Sequence, residues 1–120
     1  MARSGKKLTG KRGEELGAEW LLKNGFTLLH RNWRVGRVET DIIATKDEVL
    51  HFIEVKTRRS RNFGNPEDKV DRKKLNSMIQ AGTAYIAMHP EWRRIRYDIL
   101  SIRIGVDLKT EFLLIEDVYV

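Results

Sequence analysis

Two alternating apolar runs joined by a very short turn constrain the fold more than any other feature of this 120-residue chain. The runs are VETDIIATK, which starts at Val38, and VLHFIEVKT, which starts at Val49, with Asp47 and Glu48 at the turn between them. Alternation with a period of two is typical of β-strands, and a turn this short joins antiparallel neighbours. The sequence therefore predicts a β-hairpin in the middle of the chain.

The turn also predicts which residues of the hairpin face each other. Residues equally far from its centre lie opposite one another, which places Asp41 opposite Glu54, while Glu39 shares a face with Asp41. Carboxylates about 5 Å apart repel one another in a low-dielectric site, so a cation is expected between them. Because the donors are oxygen atoms with no Cys or His nearby, Mg²⁺ or Mn²⁺ is favoured over zinc.

The second run places charges at the end of an apolar strand face. Leu50, Phe52, Glu54 and Lys56 share one face, which suggests that this face leaves the core at its C-terminal end and opens into a polar cleft. A structural salt bridge between Glu54 and Lys56 is the alternative interpretation.

The rest of the chain supplies two helices and three further strands. A helix is predicted from about Lys11 to Asn24, and a second is predicted over the apolar positions from Leu75 to Ile86, ending before Pro90. The order α-β-β-β-α-β-β indicates an α/β fold with a β-sheet covered by helices. We expect residues 1–10 to form a flexible basic arm and residues 11–120 to form a single domain.

The fourth predicted strand contains an irregularity in its pattern. Its apolar positions change from odd numbers, ending at Ile99, to even numbers, beginning at Leu100. A change of parity inside one strand predicts a bulge or a twisted edge.

Charge favours a polyanionic partner. The net charge is +6, and the basic residues are clustered: the first twelve residues carry five Lys or Arg and no acid, and Lys56 to Arg61 carries four and no acid. Such clusters are typical of nucleic-acid-binding surfaces, although general solubility is the competing explanation. The chain has no Cys, no apolar signal segment and no run long enough to span a membrane, so we expect a cytoplasmic protein without membrane contact.

The spacing of the charged residues resembles a known signature. Asp41, then twelve residues, then Glu54-Val55-Lys56 resembles the Asp…Glu-x-Lys signature of the PD-(D/E)xK nuclease superfamily. The blocks RGEELGAEWLLKNGF, RNWR, VETDIIA, FIEVKTRRSRNFGNPEDKV and RYDIL resemble the YraN-like family of small bacterial proteins, relatives of archaeal Holliday junction resolvases. The resemblance implies a restriction-endonuclease-like fold for residues 11–120.

The resemblance also implies catalytic roles. Asp41 and Glu54 would hold Mg²⁺ or Mn²⁺ together with the carbonyl group of Val55. Lys56 would orient or deprotonate the attacking water, or offset charge on the phosphate. Cleavage of DNA, including branched or structured DNA, is the activity implied, and a nucleic-acid-binding module that keeps the fold without cutting is the alternative.

Two further acidic residues match positions of the family. Glu14, on the first helix, would complete the metal shell, but an acid in a first helical turn is also explained by the helix dipole. Glu39 matches the Glu of a Glu-x-Asp motif, and its alternative is an ion pair with an arginine such as Arg37 or Arg58.

Several basic residues are expected to contact the nucleic acid. For Arg58, Arg59 and Arg61 the alternative is that they lie in a solvated loop. Resolution of a DNA junction needs two cuts and would suit a homodimer, but the sequence does not indicate which surface would form the dimer interface. The three histidines show no metal-ligand spacing and are assigned no role. The expected nucleic-acid contacts are Lys11, Arg12, Arg58, Arg59, Arg61 and Lys73.

Overall fold

The computed structural model describes residues 2–59, 72–105 and 109–118, and it describes side chains within 11–58, 72–105 and 109–118. Within the described residues, seven elements follow one another in the predicted order. They are α1 (Ala2–Lys23), β1 (Thr27–Val35), β2 (Val38–Lys46), β3 (Val49–Arg59), α2 (Arg72–Met88), β4 (Ile95–Ile104) and β5 (Thr110–Ile115).

The strands form one five-stranded sheet in the order β1-β2-β3-β4-β5. Neighbouring strands are antiparallel, except that β3 and β4 run parallel. A parallel pair cannot be joined by a tight turn, and α2 lies in the connection between these two strands. The mixed sheet and the element order confirm the predicted fold class.

The hydrophobic core lies on both faces of the sheet. Alternation along β3 turns Ile53 toward α1 and Phe52 toward α2, and each is fully buried. Burial of one such side chain stabilises the fold by about 1.5–3 kcal/mol. The buried residues on the α1 face are Ala18, Leu21, Phe26, Ile42, Ala44, Ile53, Leu100 and Ile102. Those on the α2 face are Ile43, Leu50, Phe52, Met78 and Tyr85.

Helix α1 begins earlier than the sequence predicts. It starts at Ala2 and not near Lys11, so the backbone of residues 2–10, expected as a flexible arm, is helical. A helix already anchored by packing extends at low cost, since each added residue brings one hydrogen bond, and residues 2–10 contain no proline. Over the residues described, neither helix combines the length and the apolar character that a membrane span requires.

The bulge expected in β4 is absent, and an irregularity occurs in β1 instead. Strand β4 pairs in unbroken register with β3 and with β5, so the prediction was wrong. Ile99 and Leu100 are adjacent apolar residues because β4 is a central strand that is buried on both faces. In β1 the register shifts between Leu28 and His30.

Candidate functional site

Asp41 lies where the pairing of β2 with β3 ends. The ladder runs from Lys46↔Val49 to Ile42↔Ile53, and this is the register that the turn predicts. Continued regularly, it would place Thr40 opposite Val55, but the Val55 amide donates a hydrogen bond to Asp41 Oδ2 at 2.8 Å. The Asp41 carboxyl group therefore occupies a position in the sheet where backbone pairing would otherwise continue.

Asp41 and Glu54 form a carboxyl pair at this position. Burial, followed by a hydrogen bond that the Asp41 carboxyl group donates to Glu54 and by the negative charge of Glu54, raises the pKa of Asp41 to about 8. The Val55 amide and the Lys74 ammonium group act in the opposite direction, with smaller effects. At neutral pH, and without a metal, Asp41 therefore keeps its proton in a hydrogen bond with Glu54, because two adjacent half-buried carboxylates repel each other when both are charged.

Glu14 of α1 lies within electrostatic reach of one member of this pair, Asp41. Burial is the largest cause that raises the pKa of Glu14, and the negative charge of Asp41 is the next. A hydrogen bond from the Asn32 side chain and the charge of Arg31 oppose this shift. The structure thus brings a third carboxyl group, from a different element, within electrostatic reach of Asp41.

Two glycines allow α1 to approach the sheet this closely. A Cβ atom on Gly13 would overlap the Thr57 side chain of β3, and one on Gly17 would lie 3.1 Å from Leu100. Contact between the helix backbone and the strands needs a residue without a side chain at these positions. Gly13 therefore lets α1 approach β3 closely enough to hold its neighbour Glu14 near Asp41.

Lys56 lies on β3, two residues beyond Glu54, and is half-buried. The packing of Phe52 against α2 and of Val55 against α1 fixes the alternation of this strand, so Glu54 and Lys56 share the α2 face as predicted. Their arrangement agrees with the predicted pair, while the catalytic role of Lys56 stays a prediction.

Glu39 lies apart from the carboxyl pair. It is exposed and forms an ion pair with Arg34 at 2.9 Å across the β1–β2 hairpin. It acts on Glu14 only as the weakest of the causes that shift its pKa. The ion-pair interpretation of Glu39 thus has a partner, although it is neither of the two arginines that the sequence suggested.

The predicted nucleic-acid contacts are distributed over three elements. Lys11 and Arg12 are exposed on α1, Lys73 is exposed on α2, and Arg58 is half-buried on β3. Arg61 and the side chain of Arg59 lie outside the described residues, so their predicted role remains a prediction.

Two residues at the site were not singled out from the sequence. Asn32 was overlooked although Asn is disfavoured in strands, and such a residue inside RNWR signals an unusual backbone. Lys74 was overlooked although Arg72, Lys73 and Lys74 crowd three positive charges into the first turn of α2, where the helix dipole disfavours them.

The donor set suits a hard divalent cation. Among the residues described, no three His, Cys, Asp or Glu side chains are grouped closely enough to hold a metal ion by themselves. Mg²⁺ does not require such a cage, because it binds through one or two carboxylates and keeps several waters or phosphate oxygens. The proton shared by Asp41 and Glu54 also marks a place where a cation would relieve repulsion.

Asp41, Glu54 and Lys56 lie in a stretch of sequence that this chain shares with known proteins. The model of the family described as "Uncharacterised protein family UPF0102" matches residues 13–102. A UPF0102 protein of Phocaeicola vulgatus is 42% identical over 103 residues, which cover 86% of this chain and 83% of the relative. A UPF0102 protein of Dictyoglomus thermophilum is 46% identical over 94 residues, which cover 78% of this chain and 80% of the relative.

One similar solved structure is described as Pyrococcus furiosus SfsA in complex with Ca²⁺. It is 15% identical to this chain, with a TM-score of 0.39, and the match covers 89% of this chain and 62% of that one. At this TM-score the likeness contributes nothing to the functional assignment.

Proposed function

We propose that this chain, which belongs to the UPF0102 family, is a Mg²⁺-dependent, endonuclease-like protein. Its site would be the proton-sharing Asp41–Glu54 carboxyl pair, at the place where the pairing of β2 with β3 ends. Its substrate would be a phosphodiester bond of DNA, including branched or structured DNA. The observation that carries this proposal is the half-buried Asp41 carboxyl group, whose pKa is raised to about 8 beside a second acid. Strongly raised pKa values of this kind are concentrated at functional sites.

The residues at and around the Asp41–Glu54 pair have different roles in this proposal. Asp41, Glu54 and the Val55 carbonyl would hold Mg²⁺ or Mn²⁺, and Glu14 would approach from α1. When bound, the ion supplies positive charge opposite the phosphate oxygens and activates a water molecule for attack. The Val55 amide would orient Asp41 through its 2.8 Å hydrogen bond to Oδ2.

Two lysines flank the pair and would act on the substrate. Lys56, on the same face as Glu54, would position the attacking water or balance charge on the scissile phosphate. Lys74 acts on Asp41 electrostatically from α2, so a cation bound between the carboxylates would release Lys74 toward the phosphate. Both lysines thus lie beside the carboxyl pair without belonging to it.

The basic surface would hold the flanking backbone. Exposed Lys11, Arg12 and Lys73 lie on the two helices that cover the sheet, and the chain carries a net charge of +6. Each Lys or Arg that neutralises a phosphate releases condensed counterions, so binding should weaken steeply as salt is raised. Phosphate contacts of this kind position the strand without reading its sequence.

A nucleic-acid-binding module that does not cut is a second candidate. It is favoured by one observation: within the described residues, the acidic side chains do not form a complete three-ligand metal site. In that case the fold and the basic surface would serve binding alone.

Incubation of the purified protein with linear, nicked and four-way DNA in Mg²⁺ or Mn²⁺ tests the first candidate against the second. We expect wild type to cleave at least one substrate, and Asp41→Asn and Glu54→Gln each to abolish cleavage. Glu48→Gln, which removes an exposed acid at the far end of the same hairpin, is the matched control and should cleave as wild type does. Cleavage that survives both site substitutions would rule out the mechanism, while salt-sensitive binding without cleavage would favour the second candidate.

A further inference from the structure

Strand β5 forms one edge of the sheet, and no described strand lies outside it. The Gly105 amide donates a hydrogen bond to the Lys109 carbonyl at 2.8 Å, and this bond extends the β4–β5 register. In an antiparallel pair, alternate residues direct their backbone groups to the partner strand, while the residues between them direct theirs away. Counted from Lys109, the residues of β5 whose backbone groups point away from β4 are Thr110, Phe112 and Leu114. Backbone groups at such an edge can pair with another chain.

The two edges of the sheet differ in how they are protected against such pairing. In β1, at the other edge, the register shifts between Leu28 and His30, and Asn32 has a left-handed φ of 53°. An exposed arginine, Arg31, adds charge to the same strand. Irregular backbone and charged side chains are the usual protection of an edge strand. Strand β5 instead pairs with β4 in unbroken register, and every residue from Phe112 to Ile115 is apolar, so β5 is the edge that can accept another strand.

Apolar side chains lie on both faces of β5. Leu113 lies opposite Ser101, on the face of the sheet that carries α2, and is 51% exposed. On the α1 face, Phe112 and Leu114 pack against the core but are only partly buried, and Phe112 stacks on Trp20 with ring centroids 5.6 Å apart. A strand added beside β5 would remove apolar surface from water on both faces, which favours association.

The charges around β5 favour a second copy of the chain over nucleic acid. Residues 109–118 carry three acids and one lysine, so this segment repels a polyanion. Glu111 and Glu116 each form an ion pair with an arginine of β4, at 2.9 and 3.3 Å, which reduces the repulsion between two copies. In an antiparallel pair, the end with Lys109 lies beside the end with Asp117 of the second copy, so opposite charges meet. A parallel pair would instead bring like charges together.

We propose that β5 pairs in antiparallel orientation with β5 of a second copy of this chain, around a two-fold axis at Leu113. This register places Phe112 opposite Leu114 of the second copy, and it buries Leu113 against its own equivalent. Both copies use the same strand, as in the isologous interfaces of two-fold dimers. The proposal does not depend on the metal site. Because the axis is perpendicular to the sheet, it would place the Asp41–Glu54 pairs of both copies on the same face of one continuous sheet.

Sedimentation equilibrium of the metal-free full-length protein, without nucleic acid, tests this proposal. We expect wild type to form a dimer, and Leu113→Lys to raise its dissociation constant about tenfold or more, because two like charges would face each other on the axis. Leu29→Lys places the same charge on the other edge strand, where Leu29 is 36% exposed, and should dimerise as wild type does. A wild-type protein that stays monomeric at every concentration, or a Leu113→Lys variant with wild-type affinity, would overturn the proposal.

Cross-linking tests the register. The chain has no Cys, so Leu113→Cys introduces a single thiol. Facing residues of a non-hydrogen-bonded antiparallel pair have Cα atoms about 4.5 Å apart, which is within the range of a disulfide. We expect mild oxidation to give a covalent dimer of Leu113→Cys, and Leu22→Cys, at a position 55% exposed on α1, to stay monomeric under the same dilute conditions. A dimeric wild type without this cross-link in Leu113→Cys would overturn the proposed interface.

Amide hydrogen exchange of the unmodified protein provides a third measurement. The amides of Phe112 and Leu114 point away from β4, so they should exchange more slowly as the protein concentration, and with it the dimer population, rises. The amide of Leu113 faces β4 and should be protected at any concentration. Unchanged exchange of Phe112 and Leu114 in a dimeric sample would overturn the pairing of the two β5 strands.

Discussion

Strand β3 contributes to a buried polar pair on one face of the sheet and to a half-buried pair on the other, and the two pairs differ in their chemistry. On the α1 face, His51 Nδ1 lies 2.5 Å from Asp98 Oδ2, and the other oxygen of Asp98 accepts the Asp117 amide at 2.9 Å. On the α2 face, Glu54 meets Asp41, a second acid. The first pair joins groups that can carry opposite charges, whereas the second joins like charges.

The difference shows what each pair contributes. The His51–Asp98 pair satisfies its groups and ties β3, β4 and the segment after β5 together. The Asp41–Glu54 pair lowers the stability of the metal-free protein above about pH 4, because Asp41 ionises less readily in the folded state than in the unfolded state. An arrangement that opposes folding is typical of functional sites, and this agrees with the function proposed for it.

The largest effect is expected from breaking the favourable pair. The substitution Asp98→Ala leaves His51 and the Asp117 amide without their acceptor in a site where Asp98 is 0% exposed. We expect the free energy of unfolding to fall by about 3–5 kcal/mol, measured by urea denaturation. Asp98→Asn, which keeps one acceptor oxygen, should lose less. A loss below about 1 kcal/mol in Asp98→Ala would show that the pair does not stabilise the fold.

At the Asp41–Glu54 pair, we expect a substitution to stabilise the metal-free protein. Because the pKa of Asp41 is raised to about 8, the folded state holds a proton that the unfolded state releases above pH 4. Stability therefore falls as pH rises from about 4 to about 8, by at most about 1.4 kcal/mol per pH unit, and is constant above that.

The substitution Asp41→Asn should remove this dependence on pH. It should stabilise the metal-free protein at pH 8 on the order of 2–3 kcal/mol, since relaxation reduces the ideal value, and change little at pH 4. Urea denaturation at several pH values measures this, with Asp47→Asn as the exposed control. Parallel pH curves for wild type and Asp41→Asn would contradict the shared proton.

A moderate effect is expected where α1 contacts β3. In Gly13→Ala the added methyl group would overlap Thr57, so the helix must shift and carry Glu14 away from Asp41. We expect a loss of about 1–3 kcal/mol in the free energy of unfolding, together with weaker Mn²⁺ binding. Adding Thr57→Ala should recover part of the stability. A Gly13→Ala variant as stable as wild type would mean that the helix does not approach so closely.

The smallest effect is expected at Glu39, the acid outside the pair. Its ion pair with Arg34 is exposed, so Glu39→Gln should change the free energy of unfolding by less than about 1 kcal/mol. Mn²⁺ affinity should change little, because a carboxylate paired with an arginine is not directed at the metal. A large loss of affinity, measured by calorimetry, would instead place Glu39 among the ligands.

Much of the site was predictable because it depends on local rules. The two-residue turn at Asp47 and Glu48 fixed the register, and the period of two fixed which side chains share a face, so Asp41 and Glu54 were expected to meet. In contrast, the parity change at Ile99 and Leu100 was misread as a bulge. A chain read alone does not show whether a strand is buried on one face or on both.

The amino-acid sequence by itself determined the strands, the hairpin register and the opposition of Asp41 to Glu54, because these follow from periodicity and turn length within a few residues. Only the tertiary structure decided that α1 brings Glu14 near Asp41. The same holds for the register shift of β1, which places Asn32 opposite Asp41, and for the burial of His51 against Asp98. These contacts join residues far apart in the chain, and they depend on helix packing and strand register that no local pattern encodes.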